Sequence, residues 1–312
     1  MKISLDQAEE LLISGSVVAL PTETVYGLAA LFTLPHAIEK IYALKGRPRQ
    51  NPLIVHVNDP YLVRFYTKEV PLEAETLMTA FWPGPLTLVL PANIEKVPDI
   101  VRSGKSTVAF RVPSHPIISS ILKNVGPIVA PSANLSGKPS ATTLKHVEDD
   151  FGLNFPVVDG GEIEKGVEST ILVYTEGVWK IGRLGSISPE DFAPHLGYIP
   201  KNYEKASIDP ICPGSLYRHY SPNAKLYLGS LEKCIDSVVL GYTDRFYPNA
   251  SLTIPIGEST NPYSIMKNLY SSLRKLDEMG ISEAFIDIDF PMDGLYLTIY
   301  ERFFRAADIQ VK

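Results

Sequence analysis

Over roughly the first 195 residues, short apolar runs rich in β-branched residues alternate with segments whose apolar positions recur at helical spacing. The runs predict strands at Val17–Leu20, Leu53–Val57, Leu86–Leu90, Thr107–Val112, Ile128–Ala130, Val157–Asp159, Ser169–Tyr174 and Val178–Ile181. Helical spacing predicts helices at Leu5–Ile13, Pro35–Leu44, Pro60–Tyr66, Leu72–Phe81, Pro116–Leu122 and Thr143–Phe151. In the second of these, Ile38, Ile41 and Tyr42 share one face. Several strand pairs are joined too closely for a crossover, so the expected architecture is an α/β (or α+β) domain with a twisted sheet of mixed direction.

From Gly197 to Pro222 the periodicity disappears. Pro200, Pro210, Pro213 and Pro222 punctuate a polar, tyrosine-containing stretch, and a connection this long without elements of its own predicts a linker or lid. A second pattern follows, with strands at Lys225–Leu228, Ser237–Tyr242, Ser251–Ile254 and Ala284–Asp287. Its helices fall at Ser264–Met279 and about Gly294–Ala307. Ile265, Leu269, Leu273 and Leu276 form one apolar stripe. The rhythm is Rossmann-like, but no Gly-x-Gly-x-x-Gly turn is present, so no nucleotide is assigned to it. The expected division is a catalytic domain over 1–196, a linker over 197–222 and a small C-terminal domain over 223–312.

Composition narrows the class. A chain of 312 residues with 45% hydrophobic content and near-zero mean hydropathy fits a globular protein with a sizeable core. No apolar run is long enough to span a bilayer and no secretion pattern opens the chain, so the expectation is a cytoplasmic protein without a membrane partner. Cys212 and Cys234 are too few and too far apart for a zinc cluster. A net charge of −6 argues against nonspecific coating of nucleic acid, which requires a basic face.

The candidate chemistry gathers in polar stretches beside the strands. Lys45-Gly-Arg-Pro-Arg-Gln-Asn-Pro-Leu53 places three cations, Lys45, Arg47 and Arg49, on a proline-stiffened loop suited to an anion, or to a solvated basic turn. Pro21-Thr-Glu-Thr-Val-Tyr-Gly27 follows the first strand, where open sheets tend to bind ligands, or is a Thr-rich turn with Gly27 supplying an unusual backbone angle. Arg111 sits within an apolar strand and requires either a structural carboxylate or an anionic ligand. Ile128-Val-Ala-Pro-Ser-Ala-Asn-Leu-Ser-Gly-Lys-Pro-Ser140 ends a strand in small hydroxyl and amide residues that can approach a phosphate, or form an ordinary Ser-rich turn, but it is not a Walker loop. Gly166-Val-Glu-Ser-Thr-Ile171 with Arg183, and the linker Pro213-Gly-Ser-Leu-Tyr-Arg-His-Tyr-Ser-Pro222, complete the set. No Ser-His-Asp set, metal-spaced histidines or paired carboxylates stand out. That favours chemistry run by positioning and charge neutralisation, as in phosphoryl and nucleotidyl transfer.

In this order, these stretches together with Trp82-Pro-Gly-Pro-Leu-Thr87 and the helix Leu269-Tyr-Ser-Ser-Leu-Arg-Lys-Leu-Asp-Glu278 resemble the threonylcarbamoyl-AMP synthase (YrdC-like) family in its long form. The resemblance implies a nucleotidyltransferase. L-threonine and bicarbonate or CO₂ form a carbamate that attacks the α-phosphate of ATP, giving threonylcarbamoyl-AMP and pyrophosphate. A separate transferase complex then installs the group on tRNA, with any direct tRNA contact weak. By resemblance Thr24, His56, Arg111, Ala130 and Ser169 form the threonine pocket. Arg47, Asn51, Thr107, Ser132 and Asn134 fall on the ATP side with Ser140, Arg183 and the lid residue Tyr217. Lys45 and Arg47 fit the catalytic positions. Mg²⁺ is expected to accompany ATP. The chain departs from the family pattern at Arg183-Leu-Gly185, Ser140-Ala-Thr142 and Ser215-Leu216. A non-catalytic RNA-binding translation factor and a carbamoyl-transfer domain are the alternative readings.

Overall fold

The computed structural model describes residues 1–203, 219–229 and 236–307, and the backbone of 309–310. The first half opens with α1 (Leu5–Ile13), β1 (Val18–Pro21), β2 (Tyr26–Leu31), α2 (Pro35–Lys45) and β3 (Ile54–His56). It continues through α3 (Tyr61–Tyr66), α4 (Leu72–Phe81), β4 (Leu86–Pro91), α5 (Asp99–Arg102), β5 (Thr107–Arg111) and α6 (Pro116–Val125). Then come β6 (Ile128–Val129), α7 (Leu144–Phe151), β7 (Thr170–Thr175), β8 (Val178–Arg183), a 3-10 turn (Pro189–Phe192) and α8 (Ala193–Leu196).

These strands form one sheet in the order β1-β2-β6-β3-β5-β4-β7-β8. Only β3/β5 and β4/β7 pair in parallel, so the sheet is mixed, as the short connections require. β2 was absent from the expected strands because Tyr-Gly-Leu-Ala-Ala-Leu contains no β-branched residue; it is held by pairing with β1 and β6. The expected strand at Val157–Asp159 is instead a bridge, Val157 pairing singly with Lys2 and Ala19. Helices cover both faces of the sheet. Phe32, Ile38, Ile41, Leu88 and Phe110 belong to one core, while Leu12, Leu20, Ile118 and Ile121 belong to another. The chain stays on this sheet as far as Tyr203, whose N–H donates to Ile181 O.

The second half contains β9 (Lys225–Gly229), β10 (Ser237–Tyr242), β11 (Ala250–Gly257), α9 (Pro262–Glu278), β12 (Glu283–Asp287), α10 (Gly294–Ala306) and β13 (Ile309–Gln310). All its strand pairs are parallel, in the order β11-β10-β12-β9-β13, which gives the anticipated Rossmann-like layer. Asn261 caps α9 by accepting from Ser264 N–H, and the predicted stripe Ile265, Leu269, Leu273 and Leu276 is fully buried. The opposite side of α9 faces the first half. Tyr270 reaches Glu168, Arg274 pairs with Asp150 at 2.7 Å and Lys138 lies 3.5 Å from Asp277.

Candidate active site

One cleft gathers the polar stretches. Its walls come from the turn after β1, the end of α2, β3, the end of β5, the loop after β6, the segment entering β7 and the end of β8, with His219 and Tyr220 closing one side. The enclosed part holds about 80 Å³, and the empty space reaches about 730 Å³ once the open mouth is counted.

The basic loop is shaped by its helix end. Gly46 adopts a left-handed φ of 59°, which L side chains resist, and its N–H caps the last carbonyls of α2. The turn directs Lys45 inward, where only 3% of it is exposed and its Nζ donates to Ser132 O and Asn134 O. Burial, reinforced by the nearby Arg47, pushes the Lys45 pKa well down. Arg47 is half-buried and donates to Asn51 O and Pro52 O; burial brings it to about 10, so it remains a cation at neutral pH. Arg49 does not join them. It points outward to Glu39 with most of its side chain exposed, which corrects the expectation of three cations acting together.

The opposite wall follows from strand register. β3 and β5 run parallel with His56 opposite Arg111, so both side chains emerge at the C-terminal ends of neighbouring strands. Arg111, 4% exposed, donates from Nη1 to Thr24 Oγ1 at 2.9 Å and from Nε to Gly84 O at 3.2 Å. Its Nη2 lies 2.8 Å from Glu23 Oε1, a charge contact without hydrogen-bond alignment. A structural carboxylate therefore answers this arginine. Five donors on a planar fork still leave N–H groups for a second anion. His56 Nδ1 is buried without a hydrogen-bond partner, and burial followed by the Arg111 charge lowers the ring to about 3, so it is neutral.

The floor is made where β7 and β8 begin and end. Arg183 donates to Ser169 O and, at 3.1 Å, to Ser169 Oγ, which also bonds Thr87 Oγ1 at 2.8 Å. Gly185 makes this packing possible, because a Cβ there would fall 2.4 Å from the Ser169 carbonyl carbon. Ser140 Oγ donates to Glu168 Oε1 at 2.7 Å.

Of the residues proposed from sequence, Thr24, Lys45, Arg47, His56, Arg111, Ala130, Ser132, Asn134, Ser140, Ser169 and Arg183 line this cleft. Asn51 stands behind its wall, holding Arg47 through its carbonyl, and Thr107 begins β5, away from the His56 and Arg111 end. Tyr217 lies outside the described residues. Sequence reasoning assigned no role to Glu168, Thr87, Lys138, His219 or Tyr220. Each stands inside a stretch it had singled out, and only the fold shows which of its side chains turn inward. Among the described residues no group of three His, Cys, Asp or Glu could hold a metal ion.

Comparison with known proteins places this geometry. A family model described as "Telomere recombination" (Sua5/YciO/YrdC) matches residues 10–185, and one described as "Threonylcarbamoyl-AMP synthase, C-terminal domain" matches 187–308. The threonylcarbamoyl-AMP synthase of Bacillus subtilis is 38% identical, with 96% of this chain and 92% of that protein covered. Its counterpart from Pyrococcus abyssi is 35% identical over 95% and 92%. The crystal structure of P. abyssi Sua5 complexed with L-threonine superposes with a TM-score of 0.91 at 34% identity, covering 100% of this chain and 98% of that one. Both halves are matched in one continuous alignment, and the chain belongs to the threonylcarbamoyl-AMP synthase family in its two-domain form.

Proposed function

We propose that the cleft joins L-threonine, bicarbonate or CO₂ and ATP into threonylcarbamoyl-AMP and pyrophosphate, as a nucleotidyltransferase that supplies tRNA modification. The observation that carries this is the sharing of one cleft by two sets of polar side chains: Arg111 with neutral His56 and Thr24, and Arg47 with Lys45 and Arg183. The first set suits a small amino acid. Arg111 offers its remaining N–H groups to the carboxylate, and the partnerless Nδ1 of His56 reads the side-chain hydroxyl. An analogue without that hydroxyl leaves His56 unpaired, which gives the pocket its selectivity.

The second set suits a triphosphate. Arg47, just past the end of α2, and Arg183, at the end of β8, neutralise charge that builds on the phosphates without reorganising during the reaction, while Lys45 is tied to the Ser132 and Asn134 carbonyls. The threonine amine and bicarbonate condense to a carbamate with loss of water. A carbamate oxygen then bonds the α-phosphorus, the bond to the β-phosphate bridging oxygen breaks, and pyrophosphate leaves. Placing the two substrates side by side supplies much of the rate, since a reaction between two labile species becomes intramolecular in effect. Mg²⁺ travels with the triphosphate in this reading. The product passes to a separate tRNA-modifying transferase.

The test is pyrophosphate release from ATP with threonine and bicarbonate, against omission of each and against serine. Release that requires both supports the reading; release indifferent to threonine overturns it.

A further inference from the structure

We propose that the C-terminal half is a working part of the cleft: Arg302 and Tyr270 are positioning residues that fix Glu168 and, through it, the Ser140 hydroxyl for the nucleotide. The inference rests on the synthase reading above and extends it to residues of the second half.

Glu168 lies on the cleft wall immediately before Ser169, yet two of its three side-chain partners come from the other half of the chain. Its Oε1 accepts from Ser140 Oγ at 2.7 Å. Its Oε2 accepts from Tyr270 OH at 2.8 Å on α9 and from Arg302 Nε at 3.1 Å on α10. Arg302 is completely buried. Its Nη2 donates to Leu184 O at 2.7 Å, beside Arg183, and Thr298 one helical turn earlier donates to Gly185 O at 3.0 Å. The Arg302 guanidinium also sits 5.0 Å over the ring of Tyr220, which stacks on Tyr270 at 5.2 Å. A single arginine on the last helix therefore holds three separate stretches of the cleft: Glu168, the strand end at Leu184 and the cleft-lining Tyr220.

A structural role for the pair alone would be met by any buried ion pair between the halves, and Arg274 with Asp150 already provides one. The Glu168 carboxylate differs because its other oxygen faces a cleft residue. Arg302 and Arg183 offset the burial of Glu168 and hold its pKa at about 2, so it is ionised and acts only as an acceptor. The Ser140 proton is thereby committed to Glu168, and the Ser140 lone pairs are left to accept from a donor in the cleft. Without Arg302 and Tyr270, the carboxylate must take a proton, which weakens its hold on the Ser140 hydroxyl, or turn to Arg183, which releases it.

The experiment compares full-length wild type with Tyr270→Phe, which keeps the ring and removes one donor, and with Arg302→Lys. Each is made alone and with Ser140→Ala. Steady-state pyrophosphate release is read at varied ATP and varied threonine, and thermal melting confirms folding. Tyr270→Phe raises the KM for ATP about fivefold, the scale of one ordinary net hydrogen bond, and Arg302→Lys more than about tenfold, the scale of a hydrogen bond to a charged group. The KM for threonine stays within about twofold, and in the Ser140→Ala background Tyr270→Phe adds less than about twofold, since both act through one contact. An unchanged KM for ATP in folded Tyr270→Phe, or effects that multiply in the double variant, overturns the inference while the synthase reading stands. Should Arg302→Lys not fold, the Tyr270 and Ser140 cycle decides alone. Wild type that releases no threonine-dependent pyrophosphate overturns both.

Discussion

Arg111 and Glu23 sit 2.8 Å apart with less than a tenth of either side chain exposed, so the arginine that faces the cleft is balanced before any ligand arrives. The same pairing gives the arginine two separable tasks, one in the fold and one in binding.

Arg111→Ala is expected to cost about 3–5 kcal/mol of stability, because it strands the Glu23 carboxylate in the interior. Adding Glu23→Gln recovers part of that loss by removing the uncompensated charge, whereas independent residues would give additive losses. Urea denaturation of the two single variants and the double variant measures this directly. In protein that remains folded, the KM for threonine rises by about a hundredfold or more, as expected for a lost charge-assisted clamp, while the KM for ATP changes little.

Arg47→Ala should give the reverse pattern, with weakened ATP and nearly unchanged threonine dependence. Calorimetric titration with ATP reads it. Arg49→Ala is expected to change neither, since that side chain is exposed and paired with Glu39, a contact worth less than about 1 kcal/mol. Equal effects at the two arginines would return Arg49 to the cleft.

That contrast marks where the sequence could and could not be read. Helix α9 was legible because Ile265, Leu269, Leu273 and Leu276 repeat at helical spacing and are all buried. The cleft's contributing stretches were legible because each follows, precedes or interrupts an apolar strand with hydroxyl, amide or basic residues. Arg49 misled because a run of cations carries no mark of which one turns inward; the left-handed Gly46 and the carbonyls at Ser132 and Asn134 decide that for Lys45. β2 escaped because its small residues owe their extension to neighbouring strands. Glu168 escaped for a different reason. Its partner Arg302 lies 134 positions along the chain, and no local pattern encodes such a contact.

Stability should fall on mild acidification. Burial lowers His56 and His146 to about 3 and His219 to about 4, against an ordinary value near 6.5. The unfolded chain binds protons at these sites below about pH 6.5 while the folded chain does not, so stability present at pH 7 is lost progressively as pH falls toward 3–4. Glu168, held at about 2 against 4.5, adds a further loss that begins only below about pH 4.5. Urea midpoints between pH 7 and 4.5 isolate the histidines, and His146→Gln should flatten that slope.

The contacts between the halves should differ sharply in worth. Arg274 and Asp150 are both about nine-tenths buried and 2.7 Å apart, and Arg274 Nη2 also donates to Pro139 O. Arg274→Ala is expected to cost about 3 kcal/mol or more. Lys145, largely exposed between Asp149 and Glu278, should cost less than about 1 kcal/mol when replaced by alanine. Denaturant midpoints of the two variants check the ranking.

The central claim is that one concavity holds an amino acid's carboxylate beside a triphosphate. A crystal structure with L-threonine and a non-hydrolysable ATP analogue bound together tests it most directly. The account predicts Arg111 on the threonine carboxylate and Arg47 on the phosphates, with the amine facing the α-phosphate across the same cleft. Finding the two compounds in separate sites, or the phosphates away from Lys45 and Arg47, would contradict it.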